Sequence, residues 1–401
     1  VSRGLGVLRG VVILVGGAVA LWVSIGVTLN LTIARLQPAP SASWWPVGVT
    51  AKVTRGRELL TTAAQQPVTD IDPVRASLRD AALREPVNTQ ALGTLAALDE
   101  LRNNTRRARA LFRASETVSR RNVLTQFWLI EDAVARGDVA EAIKHYNRAM
   151  LVSSEARMTL LPVLAQASSD PAIRKELLPL LAKRPLWWKD YLQQLGTSGA
   201  DPTAMALALA ATRTDIRNPD ERGLAQAILR RMVALKDGRG ALRAANRLER
   251  VPGSTRSIRE GDFETADGLV PFAWWMRDED SIRAFRDTVP DGGMGLRIET
   301  SSGASGGVAQ QLIGLAAGRY IMQGRAGDVS TDQTARPTIN VTCETGKPLS
   351  RFSLPSAGPN GRSFRFAFDV PATDCALQWV TIVTAPAVDT NMWLDNLTAT
   401  R

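Results

Sequence analysis

Three regimes of hydrophobic and polar spacing follow one another along the 401 residues. Between Arg9 and Arg35 no charge interrupts the chain, and residues 11–29 (VVILVGGAVALWVSIGVTL) are almost wholly apolar. At 1.5 Å per residue that run is long enough for a hydrocarbon core of roughly 30 Å, which predicts a transmembrane helix over residues 10–34. From residue 72 to about residue 250, apolar residues recur at three- and four-residue spacing between Pro, Gly and Asp punctuation, the pattern of successive helices. From Gly261 the period falls to two. Strands are predicted at 295–300, 308–315, 319–323, 338–344, 350–354, 363–370, 376–383 and 391–399, separated by Gly, Pro, Asp and Ser clusters. That many short strands at regular spacing predict a β-sandwich or jelly roll.

The expected fold class is therefore multidomain, with one transmembrane helix, an all-α array and an all-β jelly-roll sandwich. The boundaries read as a cytoplasmic tail (1–9), the membrane helix (10–34), a linker with a short helix near 52–64 (35–71), an α-helical domain (72–252) and the β-sandwich (253–401). Arg3 and Arg9 precede the apolar run and Arg35 follows it, so the excess of positive charge places the N-terminus in the cytoplasm. This predicts a single-pass inner-membrane protein with its bulk in the periplasm. The run exceeds the 7–15 apolar residues of a secretory signal, which favours an uncleaved anchor. The small residues of Pro38-Ala39-Pro40-Ser41-Ala42-Ser43 leave a cleavage site open as the other reading. Trp44 and Trp45 suit an interfacial anchor or a cap on the first helical unit.

Within the helical region one phase repeats. Ala108, Phe112 and Ser115 follow Leu95-Ala96 with Asn103 at the turn, and 34 residues later Ala142, Tyr146 and Ala149 follow Leu129-Ile130 with Gly137 at the turn. Small residues let the two helices of a hairpin approach, and the aromatic fills the groove against the next. Period and positions resemble the tetratricopeptide repeat over about residues 72–152, degenerate to 250. The consensus Trp and Leu-Gly pair are missing. Such arrays expose a curved surface that holds protein partners.

Charge separates the two halves. Residues 1–260 carry 37 Lys and Arg against 23 Asp and Glu, and residues 261–401 carry 12 against 16. Of 49 basic residues seven are Lys and 42 are Arg. That bias reads either as a GC-rich coding background or as a surface for anions. No zinc-finger spacing or RNP-like strand points to nucleic acid. The single histidine, His145, lies in a repeat helix. It leaves no Ser/His/Asp triad or HExxH motif, no phosphate loop is found, and the expected protein is not an enzyme. Cys343 and Cys375 both fall in or beside β strands, as a disulfide in an oxidising compartment or as two buried thiols.

The β region opens with Gly261-Asp262-Phe263-Glu264-Thr265 and Pro271-Phe272-Ala273-Trp274-Trp275, and closes with Trp393-Leu394-Asp395-Asn396-Leu397. These ends resemble the galactose-binding-like jelly rolls of carbohydrate-binding modules, across residues 261–401. The resemblance implies adjacent first and last strands, with Glu264, Asp395 and Asp262 as ligands of a structural calcium. Solvated or hydrogen-bonded acids at a sheet edge are the plainer reading. No other cofactor is expected. The resemblance also implies sugar stacking on aromatic faces, for which Trp274, Trp275 and Tyr320 are the candidates. Trp379 reads as core. Neighbouring residues on a strand point to opposite faces, so Trp274 and Trp275 cannot both be buried by the same sheet. The outward one meets a ligand or is covered by the helical domain.

Together these readings predict a membrane-anchored periplasmic scaffold that contacts glycan in polysaccharide assembly or export. Its expected partners are the inner membrane, proteins of an envelope complex and polysaccharide. The alternative is a structural subunit of a membrane complex whose sandwich packs on protein.

Overall fold

The computed structural model describes residues 2–32, 36, 41, 44–68, 70–250, 258–290, 292–384 and 389–401. Arg35, most of the 38–43 motif and the expected start of the sandwich at 253 lie outside the described residues. By its internal contacts the chain divides into two compact units, Val1–Leu160 and Leu161–Arg401.

The first unit begins with helix α1 (Ser2–Thr32). Gly16, Gly17, Ser24 and Gly26 interrupt its apolar surface. The hydroxyls of Ser24, Thr28 and Thr32 donate to carbonyls one turn back, and Trp22 lies against Trp45 with ring centroids 4.6 Å apart. Among the described residues no helix is long and apolar enough to cross a membrane. This overturns the expected transmembrane helix at 10–34 and with it the single-pass inner-membrane localisation, and it leaves the inner membrane without support as a partner.

Helices α2 (Val49–Ala63), α3 (Asp72–Arg84), α4 (Thr89–Leu101), α5 (Thr105–Val118), α6 (Val123–Ala135), α7 (Val139–Val152) and α8 (Ser154–Ala167) follow, the last containing the boundary between the units. Asn and Asp side-chain caps start four of them. Asn88, Asn104, Asn122 and Asp138 each accept a backbone N–H from the first turn of α4, α5, α6 and α7. Each such cap is worth about 1 kcal/mol. Asn103 and Gly137 make the α4–α5 and α6–α7 turns with left-handed backbone, φ 58° and 69°. Ala108 and Phe112 are fully buried, Ala142 is buried and Tyr146 half-buried, and Phe112 stacks on Trp128 at 4.6 Å.

The second unit opens with α9 (Pro171–Leu181), α10 (Trp188–Ser198), α11 (Pro202–Ala211), α12 (Pro219–Ala234) and α13 (Gly238–Glu249). Asp170, Asp201 and Asn218 cap three of these with Pro at the next position, where its missing N–H costs nothing. The β region then forms two antiparallel sheets. One has the order β1 (Trp275–Met276), β5 (Gly306–Ile313), β10 (Gln378–Thr384), β7 (Thr338–Cys343), β8 (Pro348–Ser353). The other has the order β2 (Asp278–Glu279), β3 (Ile282–Thr288), β4 (Met294–Thr300), β11 (Thr390–Thr400), β6 (Gly318–Gly327), β9 (Arg362–Val370).

Their inner faces interdigitate through Leu296, Ile298, Val308, Met322, Ile339, Val341, Val380, Ile382, Met392 and Leu394. Burial alternates strictly along β7 and β10, as period two demands. Cys343 and Cys375 are joined by a disulfide beside β7 and β10. The helices of this unit are tied to the sandwich. Glu249 of α13 accepts from Leu269 N at 2.7 Å and pairs with Arg259, while Gly238 admits Leu377 where a side chain would collide. The change of period near 253 therefore falls inside one compact unit.

Strands β1 to β3 lie ahead of the first predicted strand. Only Ile282 and Ala284 of β3 are buried, and the preceding run Arg277-Asp278-Glu279-Asp280 is charged. A half-polar edge of that kind reads as a loop because its pairing, rather than its burial, makes it a strand.

Candidate functional site

The outer face of the five-stranded sheet gathers the polar and aromatic side chains that the core leaves out. Along β10 the inward residues are Val380 and Ile382, so Trp379, Thr381 and Val383 point outward, each half-buried. The register then fixes their neighbours. One row of directly opposed residues runs from edge to edge: Trp275, Gln310, Thr381, Asn340 and Arg351. With strands about 4.8 Å apart, the row is roughly 19 Å long. A second row sets Trp379 between Leu312 and Thr342, and a third sets Val383 between Gly307 and Thr338.

Two features mark this face. Trp275 and Trp379 present partly open indoles, one on an edge strand and one on the central strand. Around them, Thr338 Oγ1 and Asn340 Oδ1 are shielded from solvent and find no partner among the described residues. Shielded polar atoms are normally hydrogen-bonded, so these carry bonding capacity that the fold does not use.

The aromatic candidates divide. Trp274 is buried, 4% exposed, and lies against Phe263 with centroids 5.5 Å apart. Tyr320 is 7% exposed and stacks on Phe368 at 5.9 Å inside the sandwich. Neither ring is open to a sugar. Trp275 is the candidate whose ring lies on an outer face. Trp379, read from sequence as core, joins it there. The missed signal was parity. Trp379 shares a face with Thr381, and Thr338, Asn340 and Thr342 repeat the same polar alternation on the neighbouring strand.

The acidic candidates lie on the other sheet. Leu397 N donates to Gly261 O at 2.8 Å, which brings the opening loop onto the last strand. A bulge follows Asp395, where Asn396 takes a left-handed φ of 55°. Asn396 donates to both Asp395 oxygens, from its backbone N–H at 2.6 Å and from its side-chain amide at 2.8 Å. Glu264 Oε1 accepts Met294 N at 2.9 Å. Burial pushes the Asp395 carboxyl above its ordinary value, the Asn396 N–H opposes this, and the charges of Asp262 and Glu264 push it further up. Calcium asks for six to eight oxygens. Here both Asp395 oxygens and one of Glu264 are committed to hydrogen bonds. Among the described residues no group of three or more His, Cys, Asp or Glu is placed to hold a metal. Asp395 and Glu264 serve as acceptors at a loop-to-strand junction.

His145 is buried in the first unit, its ring nitrogens against Gln126 Oε1 at 2.7 Å and Glu141 Oε1 at 3.0 Å. Burial lowers its pKa, partly offset by Glu116 and Glu141. A histidine so enclosed knits helices α6 and α7.

No family model matches the chain, and no curated protein matches it. Solved structures show slight likenesses over about a third of the chain. TmCBM61 in complex with β-1,4-galactotriose is 13% identical over 37% of this chain and 99% of its own, with a TM-score of 0.28. A CBM4 structure is 18% identical over 36% of this chain and 99% of its own, with a TM-score of 0.27. The enzymatically active domain of bacteriophage CBA120 tailspike protein 4 is 11% identical over 36% of this chain, with a TM-score of 0.27. The match spans 21% of that domain's length and 26% of an α-L-arabinofuranosidase, MgGH51. Likenesses this slight leave the site to be judged by its own geometry.

Proposed function

We propose that the chain is a non-catalytic glycan-binding protein that receives a polysaccharide segment on the outer face of its five-stranded sheet. The observation that carries this reading is the row from Trp275 through Gln310 and Thr381 to Asn340, with Trp379 beside it. Indole faces suit the apolar C–H side of a pyranose ring, and amides and hydroxyls between them suit its hydroxyls as both donor and acceptor. The three rows contain no carboxylate, so hydrolysis by paired acids has no support on this face.

The helical part reads as a scaffold for protein partners within a polysaccharide-handling assembly. Supporting its repeat character, the caps Asn88 and Asn122, the caps Asn104 and Asp138, and the left-handed turns Asn103 and Gly137 stand 34 residues apart, as do Phe112 and Tyr146.

The test is a glycan array with the full chain, followed by titration of the best ligand. Expected is binding to at least one polysaccharide class, lost on joint replacement of Trp275 and Trp379 by Ala while the melting temperature holds. Binding that survives loss of both indoles, or an empty array, would sink the reading.

A further inference from the structure

The five-stranded face ends in a groove of about 570 Å³ lined by Gly306, Arg336, Thr338, Arg351, Ser353 and Thr384 among others. Two arginines and no acid line it. Arg351 stands at the end of the Trp275 row, exposed, and no ion pair holds it among the described residues. Arg336 donates to the carbonyls of Ser330 at 3.0 Å and Thr331 at 2.6 Å, contacts that fix the side chain without neutralising it. Asp332, on the same turn, is the acid facing Arg336. Its Oδ1 accepts the N–H and the hydroxyl of Thr334, both at 2.9 Å, and it lies outside the groove lining. Also in the lining, Thr338 and Thr384 carry shielded hydroxyls that find no partner among the described residues.

A groove with net positive charge, unspent hydroxyls and continuity with an aromatic row has the make-up of a subsite for a ring bearing a carboxylate. Guanidinium groups match carboxylates in geometry as well as charge, and such bonds are roughly twice as strong as neutral ones. Resting on the glycan-binding reading, we propose that this groove selects acidic saccharides, taking the carboxylate of a uronic acid unit against Arg351 and Arg336 while the preceding units cross the row toward Trp275.

The experiment titrates the full chain with polyuronates (galacturonan, mannuronan and glucuronan), each paired with the same polymer after reduction of its carboxylates to hydroxymethyl groups. The paired chains share their linkage and differ in the carboxylate. At low salt at least one polyuronate is expected to bind about tenfold or more tighter than its reduced form. That ratio should shrink as salt screens the charge, and Arg351→Gln should bring it close to one. Equal binding of a polyuronate and its reduced form by the wild type overturns the acidic selectivity and leaves the glycan reading standing. A poly-glutamate that competes as well as the polyuronate also overturns it, because charge alone would then suffice. No binding of any polyuronate overturns it as well, and an empty glycan array alongside removes the reading on which it rests.

Discussion

The two outer faces of the sandwich share one core and differ in what they leave unfinished. On the six-stranded sheet several outward charged side chains find partners within the fold. Arg283 bonds Asp278 at 3.2 Å, and Arg297 reaches Asn391 at 3.3 Å and Asp287 at 3.5 Å. Its outward tryptophan, Trp393, is roofed, 1% exposed, with its indole N–H donating to Pro359 O at 3.3 Å and Gly327 and Gly361 against the ring. On the five-stranded sheet Trp275 and Trp379 stay half open, and Thr338 and Asn340 hold polar atoms without partners among the described residues. A tryptophan on a sheet face thus has two meanings. Covered by its own loops it is structure, and left beside unsatisfied polar groups it is a candidate contact.

The sharpest way to break this contrast is Trp393→Ala, which should cost roughly 3–5 kcal/mol of folding stability in denaturant unfolding. The fraction that remains folded should bind glycan as the wild type does, and lost affinity there would erase the distinction between the faces. Next in size, Trp275→Ala combined with Trp379→Ala should weaken glycan binding at least about 100-fold by calorimetry, as expected for buried aromatic anchors. Arg365→Ala on the outer face of β9 serves as the matched control and should change binding little. Smaller again, Gln310→Ala or Asn340→Ala should each cost roughly 1 kcal/mol, or about fivefold in affinity.

The smallest effect concerns pH and the six-stranded sheet. Because burial raises the Asp395 pKa in the folded chain, its contribution to stability is fully present below the ordinary carboxylate value and is lost as pH rises through the raised value. Glu260 and Glu344 shift the same way through burial, so the readout is the difference from the variant. Thermal melts across the mildly acidic range should show a gentle decline with rising pH that Asp395→Asn flattens, with no change in glycan affinity.

Much of the architecture was legible because it rests on local rules. Helix starts announced themselves through Asp and Pro punctuation, and period two marked the stretches that became β7 and β10, although it did not settle which face of β10 points inward. Strands β1 to β3 were hidden because their pairing, β1 with β5, β2 with β3 and β3 with β4, is a tertiary fact, while the run from Arg277 to Asp280 is charged. The membrane helix was inferred from the hydropathy of residues 11–29, whereas among the described residues no helix is long and apolar enough to cross a membrane. At the site, parity told that Trp274 and Trp275 face opposite ways but not which faces inward. Trp379 looked like core because its strand is apolar overall. Register supplied what composition could not, by setting Thr381 between Gln310 and Asn340.

The central claim is that glycan meets the five-stranded face through two particular indoles. Indole N–H resonances of the full chain, assigned by single Trp replacements and followed during titration with the best array ligand, test it most directly. Shifts concentrated at Trp275 and Trp379, with Trp274 and Trp393 unmoved, are the predicted result. Shifts at Trp393 with Trp275 and Trp379 silent would contradict it.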